Sequence, residues 1–140
     1  MLLIKKAALE DKNAIFKLNK KFNGEGNTLQ NIEESLKYNK NEIILIAYED
    51  DKAVGFVCGQ ISKSICYLEK QGIITGLFVK KKYRRKGIAK KLLMSIERVF
   101  ANNNICAVTL ETSKKNEKAQ SLYKKSGYKR NKHYFYYKDL

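Results

Sequence analysis

A strongly basic stretch, KKKYRRKGIAKKLL at residues 80–93, holds the residues best suited to chemistry in this 140-residue chain. A glycine interrupts the basic run, and an apolar helical pattern starts directly after it. The first turn of a helix has unpaired backbone N–H groups and partial positive charge, so it binds phosphate well. Gly87 has no Cβ to obstruct a phosphate, and Ala89 is nearly as small. The stretch therefore predicts a phosphate-binding loop at a helix entrance.

The pattern differs from two common phosphate-binding motifs. A Walker A loop requires GxxxxGK[ST], and the dinucleotide fingerprint requires GxGxxG after the first strand of a βαβ unit. Neither occurs in this sequence. The chain has instead Arg84-x-x-Gly87-x-Ala89, which follows the apolar run LFV and precedes an amphipathic helix. This context favours a phosphate loop, and Lys80–Lys82 should add a long-range field that attracts an anionic ligand.

The elements that must position this loop follow from the hydrophobic pattern. Their order, β-α-α-β-β-β-α-β-α-β, predicts one mixed α/β domain over residues 1–140. Gly76, inside a strand, indicates a bulge or a close backbone approach. Thr28 should cap the second helix, and Gly127 should end the last one. The predicted strands are 1–7, 42–49, 53–62, 72–79, 105–112 and 133–140, and the predicted helices are 9–22, 29–38, 88–100 and 116–127.

The composition restricts the class of protein. Lys and Arg number 29 against 14 Asp and Glu, and the net charge of +15 implies an anionic partner such as nucleic acid, a membrane surface or a phosphorylated ligand. The three cysteines form no CxxC pair and His133 lies far from them, so we expect no metal site. No apolar run has the length of a signal peptide core or a membrane span. We therefore expect a cytoplasmic protein without a membrane partner.

Two blocks of the sequence resemble the GNAT superfamily of acyl-CoA-dependent N-acetyltransferases. The segment GLFVKKKYRRKGIA, at 76–89, is similar to the family's fourth strand and its pyrophosphate loop, Q/R-x-x-G-x-G/A. The segment LETSKKNEKAQSLYKKSGY, at 110–128, is similar to the second block, a strand and an Asn followed by A-x-x-L-Y-x-x-x-G-F/Y. A proline that often precedes the family's loop is missing here. The blocks occur in the family's order, and the preceding elements fit the same fold.

The resemblance implies a fold and a cosubstrate. The fold is α/β (α+β by some schemes), with a mixed, mostly antiparallel central sheet, about four flanking helices, and splayed strands four and five. Acetyl-CoA is the implied cosubstrate, with its pantetheine arm between the splayed strands and its pyrophosphate on the loop; no metal is implied. The implied cofactor-binding residues are Leu77, Phe78, Val79, Arg84, Arg85, Lys86, Gly87, Ile88, Ala89, Lys90 and Asn116.

The resemblance also implies two catalytic residues. Tyr123 matches the family tyrosine that protonates the departing CoA thiolate, and its simpler role is core packing. Glu111 is the implied base for the amine, with a water chain or Glu69 as alternatives and a solvated or lysine-paired carboxylate as its non-catalytic role. The amine would attack directly in a ternary complex, because no cysteine falls in either block and Cys106 is expected at the buried start of a strand.

The sequence leaves the amine acceptor open: a small amine, an aminoglycoside-like compound, or a peptide or protein amine. Glu25, Glu33 and Glu34 could attract a cationic amine, or they could form a solvated helix face. Aromatic residues alternate at 134–136, which predicts that one side of a last strand is in the core. Two rival classes are a basic nucleic-acid-binding module, for which no recognition motif is present, and a non-catalytic acyl-CoA sensor. The oligomeric state is open as well, a homodimer included.

Overall fold

The computed structural model describes residues 1–140. Short 3₁₀ turns at Leu9–Asp11 and Lys81–Tyr83 supplement the regular elements. The strands are β1 (Leu2–Lys6), β2 (Glu42–Glu49), β3 (Lys52–Ser62), β4 (Gln71–Val79) and β5 (Val108–Leu110), and the helices are α1 (Lys12–Asn23), α2 (Leu29–Tyr38), α3 (Ile88–Asn102) and α4 (Glu117–Lys125).

The sheet has the strand order β1-β2-β3-β4-β5. Strands β1 to β4 pair antiparallel, whereas β4 and β5 pair parallel. This mixed, mostly antiparallel sheet with four α-helices confirms the predicted fold class. None of these helices combines the length and apolar composition that crossing a bilayer requires.

The sheet is covered on both faces, which explains the continuous apolar run of β2. Leu45 and Ala47 belong to a core cluster that includes the buried stripe of α3, whereas Ile44 and Ile46 belong to a second cluster with α1 and α2. Since side chains alternate between the two faces of a strand, a strand buried on both faces must be apolar at every position. Helices α1 and α2 therefore lie on one face of the sheet and α3 on the other.

Phe100 on α3 fixes how closely the helix approaches the sheet. Its side chain is fully buried. A Cβ added at Gly59 would lie 2.7 Å from the Phe100 ring, and one at Gly72 would lie 3.0 Å from it. Both glycines therefore provide the space that this ring occupies.

A bulge in β4 separates the strand from β5. Cys58 of β3 lies opposite Gly76, but the next residue, Gly59, lies opposite Ile74, so Thr75 is the extra residue. Strand β5 pairs with β4 only at residues 72–74. Because a bulge bends the strand that contains it, residues 75–79 continue without a neighbour on that edge. The splay of strands four and five is therefore confirmed, as is the irregularity expected at Gly76.

The predicted strand 105–112 was too long, because its first residues serve as the end of α3. Asn104 has a φ of +62°, and the N–H of Ile105 donates to the carbonyl of Phe100 at 3.1 Å. This is the backbone pattern of a Schellman turn, which uses a backbone N–H group that strand pairing would otherwise use. Only Val108–Leu110 pair with β4. Cys106 is exposed and precedes the strand, so its predicted burial was wrong.

The predicted C-terminal strand is absent, since no strand or helix is assigned after α4. Tyr134, Phe135 and Tyr136 are 85%, 73% and 89% exposed. The prediction that one side of this segment enters the core was therefore wrong. The aromatic alternation fits a strand, but a strand also needs the edge of another strand to pair with. Strand β5 has only three residues, so the edge that it presents is short.

Candidate active site

The loop between β4 and α3 ends in a row of unused backbone donors. Arg85 and Gly87 both have left-handed backbone conformations, with φ values of +64° and +78°. The first intrahelical bond of α3 joins the Lys91 N–H to the Gly87 carbonyl at 3.0 Å. None of the backbone N–H groups from Arg85 to Lys90 donates a hydrogen bond within the protein. A 15-residue helix thus presents free donors and the positive end of its dipole at this loop.

The space beside these donors is open. A Cβ added at Gly87 would meet no atom within 4 Å, so the protein does not crowd this position. Glycine is favoured because the backbone has a positive φ, which side-chain-bearing residues rarely adopt. The side chains of Arg85, Lys86 and Lys90 are exposed around the same row, while Ile88 is buried and anchors the helix to the core. Free amides, open space and surrounding cations fit a pyrophosphate group.

Arg84 connects the loop to the end of β4. Its Nε–H donates to the Val79 carbonyl at 2.8 Å. Its guanidinium carbon lies 5.6 Å from the centre of the Phe78 ring, within cation–π range. The structure therefore uses Arg84 to fix the course of the loop, and the remaining N–H groups of its guanidinium are left for an anion.

The open edge of β4 exposes backbone groups of two predicted residues. The Lys80 N–H donates to the Val54 carbonyl of β3 at 2.8 Å. Hydrogen-bonded pairs alternate along an antiparallel ladder, so Phe78 also directs its backbone groups to β3. Leu77 and Val79 direct theirs to the opposite edge, which β5 leaves uncovered. A linear ligand with amide groups can bond there as an added strand would.

The Phe78 side chain contributes to an aromatic cluster on the α1–α2 face. Its ring centre lies 5.6 Å from that of Phe22 and 6.3 Å from that of Phe56. Phe22 and Phe56 are 5.9 Å apart in an edge-to-face arrangement. A Cβ at Gly76 would lie 3.2 Å from the Phe22 ring. The bulge of β4 therefore packs directly against this cluster.

Tyr123 is held by the turn that ends α4. The N–H groups of Gly127 and Tyr128 donate to the carbonyls of Lys124 and Tyr123 at 3.1 and 2.9 Å, and Gly127 has a φ of +92°. This is a Schellman motif, and the Tyr123 and Tyr128 rings form its apolar contact at 5.9 Å. The prediction that Gly127 ends the helix is confirmed.

The Tyr123 hydroxyl is free to meet a ligand. It forms no hydrogen bond within the protein. It is also accessible to solvent, because the Ser126 hydroxyl is the one side-chain polar atom that is both buried and without a hydrogen-bond partner. The Tyr123 side chain packs on the α3 core cluster and is half-buried. Burial raises the pKa of Tyr123, so the phenol keeps its proton at neutral pH. A protonated, unpartnered phenol is suited to donate a proton.

Tyr128 is a residue that the sequence reasoning missed. Its hydroxyl donates to a carboxylate oxygen of Glu97 on α3 at 2.6 Å, so it joins the end of α4 to α3. Burial and this hydrogen bond raise the pKa of Tyr128. The signal was present in the spacing, because Gly127 followed by an aromatic residue five positions after Tyr123 is typical of a Schellman turn.

The two other predicted residues near α4 are exposed. Asn116 is the N-cap of α4, where its side-chain oxygen accepts the Ala119 N–H at 3.1 Å. Its amide NH₂ group donates no hydrogen bond within the protein. Glu111 follows the last residue of β5 and faces solvent, and so does Glu69 in the β3–β4 connection. Residues 77–79 thus end β4, and residues 84–90 form the loop after it and the start of α3, whereas Glu111 lies at the end of β5.

A cavity of about 200 Å³ lies on the α1–α2 face, next to the bulge of β4. Strands β2, β3 and β4 form its floor, and α1, α2 and their connection form its walls. Glu42 is its one charged lining residue. The carboxylates suspected from the sequence do not line it: Glu25 pairs with Lys20 at 3.2 Å, and Glu33 pairs with a lysine at 3.0 Å. Sequence reasoning missed Glu42 because it is the first residue of a buried strand.

Other functional groups give no further site. No group of three His, Cys, Asp or Glu side chains is arranged to hold a metal ion. Cys58 is half-buried and lines this cavity, and desolvation raises the pKa of its thiol, so the thiol stays protonated and weakly nucleophilic. Cys66 and Cys106 are free and exposed.

Comparison with known proteins gives matches over almost the whole chain. A sequence model of the Acetyltransferase (GNAT) family matches residues 12–128. The uncharacterized N-acetyltransferase YhfO of Bacillus subtilis (strain 168) is 31% identical over 140 residues, which cover 96% of this chain and 94% of that protein. These matches confirm the resemblance inferred from the two sequence blocks.

Solved structures share the fold. The aminoglycoside acetyltransferase AAC(6')-Iy, in complex with the bisubstrate analogue CoA-S-monomethyl-acetylneamine, superposes with a TM-score of 0.89 at 21% identity, covering 100% of this chain and 99% of that one. The aminoglycoside acetyltransferase meta-AAC0020, from an uncultured soil metagenomic sample, gives a TM-score of 0.85 at 20% identity, covering 99% and 97%. At these identities the likeness concerns the fold.

Proposed function

The chain belongs to the GNAT family and is an acyl-CoA-dependent acetyltransferase, and from this premise we propose that it transfers an acetyl group from acetyl-CoA directly to a primary amine in a ternary complex. The observation that carries this proposal is the row of free N–H groups from Arg85 to Lys90 beside the uncovered edge of β4. An anion site and a strand-like binding edge adjoin one another, as a ligand with a pyrophosphate and an amide-containing arm requires.

Named residues would hold the cosubstrate. The amides of residues 85–90 would bind the pyrophosphate, and Arg84 would keep the loop in place from its bond to Val79. The backbone of Leu77 and the N–H of Val79, whose carbonyl accepts from Arg84, would bond the pantetheine arm, and the Asn116 amide would add a contact. Bound acetyl-CoA supplies an activated thioester. An N–H on the uncovered edge of β4 would polarise its carbonyl, because a fixed donor stabilises developing negative charge.

Proton transfers would involve Tyr123 and Glu111. The amine must lose a proton to attack the carbonyl carbon, and the C–S bond then breaks to give a thiolate. Tyr123 would give its proton to this thiolate, and its free hydroxyl, which is protonated at neutral pH, supports this role. Glu111 would accept the amine proton through water, because its exposed position at the end of β5 leaves room for a water chain. We assign no covalent role to cysteine, since desolvation raises the pKa of the thiol nearest the bulge, that of Cys58, and keeps it protonated and weakly nucleophilic.

Two features bear on the setting of the reaction. The basic residues around the loop would attract the anionic cosubstrate over a distance. Lys21 of α1 lies with Lys80–Lys82 and Arg84 around one surface depression, so the positive surface extends beyond the loop itself. Three free cysteines suit a reducing compartment, and we place the reaction in the cytoplasm.

The kinetic test is an initial-rate study with acetyl-CoA and a series of primary amines, followed by release of the CoA thiol. The proposal predicts intersecting double-reciprocal lines, as a ternary complex requires, and no mass increase when the enzyme is incubated with acetyl-CoA alone. Parallel lines together with an acetylated enzyme would contradict direct transfer. Binding of acetyl-CoA without turnover of any amine, and with no effect of Tyr123→Phe, would indicate an acyl-CoA sensor.

A further inference from the structure

The cavity on the α1–α2 face contains a carboxylate without a cationic partner. Five acidic residues are at least partly buried: Asp11, Glu33, Glu42, Glu49 and Glu97. Four of them are held by an ion pair or a hydrogen bond of 2.6–3.5 Å. Glu42 has no ion pair, although the chain carries 29 lysines and arginines. Such a carboxylate is unusual, because burying a charge without a partner destabilises a protein.

The environment of Glu42 is set by its place in β2. It lies opposite Gln60 and two positions along the strand from Ile44. Ile44 is level with Cys58 and with Gly76, which adjoins the bulge residue Thr75. Partial burial raises the pKa of Glu42, and the nearby Ser35 side chain opposes this rise in part. No lysine or arginine lines the cavity. A cation that entered would therefore find one carboxylate in a confined space, where charge interactions are stronger than in bulk water.

The rest of the polar lining consists chiefly of amides. Asn19 and Asn23 are hydrogen-bonded to each other at 2.7 Å, and so are Asn27 and Asn31. In each pair one amide N–H group and one carbonyl are used, which leaves NH₂ donors and carbonyl acceptors for a ligand. A hydroxyl group both donates and accepts, so amide pairs of this kind suit a hydroxylated or amide-bearing ligand.

The cavity also has a limited size and an adjacent reaction site. Its volume of about 200 Å³ is below the roughly 300–1,000 Å³ of pockets for drug-sized ligands. Thr75 and Gly76 line it, and Leu77 follows them directly at the uncovered edge of β4. An amine in the cavity would therefore lie next to the strand segment where the thioester is proposed to bind.

From these observations we propose that this cavity is the acceptor site, that Glu42 binds the ammonium group of the acceptor, and that the acceptor is a compact hydroxylated or amide-bearing amine. A single-ring amino sugar or an amino alcohol belongs to this class. A multi-ring polycation is larger than the cavity. The chain's net charge of +15 also repels a polycation, and only one carboxylate in the cavity attracts it. This inference rests on the proposed acetyltransferase function and specifies its acceptor.

The test compares acceptors and variants. Glucosamine, serinol and glycinamide represent the compact class, and kanamycin A and a peptide with a free N-terminal alanine represent larger acceptors. The variant is Glu42→Gln, which removes the charge and keeps the shape. The control is Glu34→Gln, which removes the same charge from an exposed position of α2 outside the cavity. Acetyl-CoA dissociation constants are measured for each protein by titration calorimetry.

The expected result is that a compact amine has the highest kcat/KM and that Glu42→Gln raises its KM by roughly tenfold or more, because the hydrogen bond to the ammonium loses its negatively charged acceptor. The acetyl-CoA dissociation constant should stay within about twofold, and Glu34→Gln should match the native protein. A preference for kanamycin A or the peptide, or an unchanged KM in Glu42→Gln, would overturn the inference. Failure of the native protein to bind acetyl-CoA or to acetylate any amine would refute the acetyltransferase proposal itself.

Discussion

The role of Gly87 can be isolated by comparison with a second glycine that has the same backbone constraint. Gly87 and Gly127 have φ values of +78° and +92°, and a Cβ at either would meet no atom within 4 Å. Substitution by alanine should therefore introduce a similar backbone strain at both positions, about 1–2 kcal/mol in the left-handed region. For a chain of this size we expect a fall of about 3–8 °C in melting temperature for both Gly87→Ala and Gly127→Ala.

Only one of the two substitutions should weaken CoA binding. Gly87 lies within the row of free N–H groups, where a new methyl group would stand in the space assigned to the pyrophosphate. A displaced phosphate loses hydrogen bonds that contribute about 1.5–3 kcal/mol each when one partner is charged. The loss of one such bond corresponds to a rise of about tenfold or more in the dissociation constant.

The assay is titration calorimetry with CoA on the native protein and both variants, with thermal unfolding measured on the same samples. We expect equal destabilisation of the two variants, a dissociation constant raised at least about tenfold for Gly87→Ala, and native affinity for Gly127→Ala. Equal CoA affinity in the two variants would refute the reasoning, because strain alone would then account for every effect.

Three further predictions concern other parts of the structure. Tyr123→Phe should lower kcat by about 100-fold or more, the contribution of a general acid, with unchanged CoA affinity by calorimetry. Tyr128→Phe removes a 2.6 Å hydrogen bond to a carboxylate of α3, which should cost about 2 kcal/mol in urea unfolding and lower kcat by loosening the Tyr123 ring; unchanged stability would contradict this. Burial opposes ionisation of Asp11, but hydrogen bonds from the Ala8 N–H, from Lys5 and from a tyrosine hydroxyl lower its pKa overall. The ionised Asp11 therefore stabilises the folded protein above the ordinary pKa of 3.8, and this stabilisation is lost as the pH falls through the lower pKa of the folded state. Asp11→Asn should make the free energy of unfolding less dependent on pH in this acidic range.

Local sequence signals predicted most of the elements. The N-cap assigned to Thr28 is confirmed by its hydrogen bond from the Asn31 N–H at 3.1 Å. Of the stripe Ile88, Leu92, Ile96 and Val99 that the helical period predicts, the first three are buried and Val99 is half-buried. These features depend on residues within one or two helical turns, so the sequence specifies them directly. The succession of β4, Gly87 and α3 belongs to the same class, while the binding of phosphate by this loop stays a prediction.

Features that depend on distant partners were not predictable. The aromatic residues 134–136 have a strand pattern, yet pairing requires an exposed edge long enough to receive them. The start of β5 was misplaced because Ile105 completes the turn after α3. Glu42 looked like the polar end of an apolar strand, and its significance appears only when α1 and α2 enclose it against the sheet. The first and third cases depend on contacts between residues far apart in the chain, whereas the second is a local turn whose residues also fit a strand pattern.

We propose that the backbone N–H groups at the start of α3 bind the pyrophosphate of CoA. This proposal can be tested residue by residue with ¹H–¹⁵N correlation spectra recorded with and without saturating CoA. We predict the largest amide shifts at residues 85–90, and small shifts at the start of α2, where the Thr28 side chain already occupies the Asn31 N–H. Unchanged amide signals at residues 85–90 on addition of CoA, with shifts elsewhere in the chain, would contradict it.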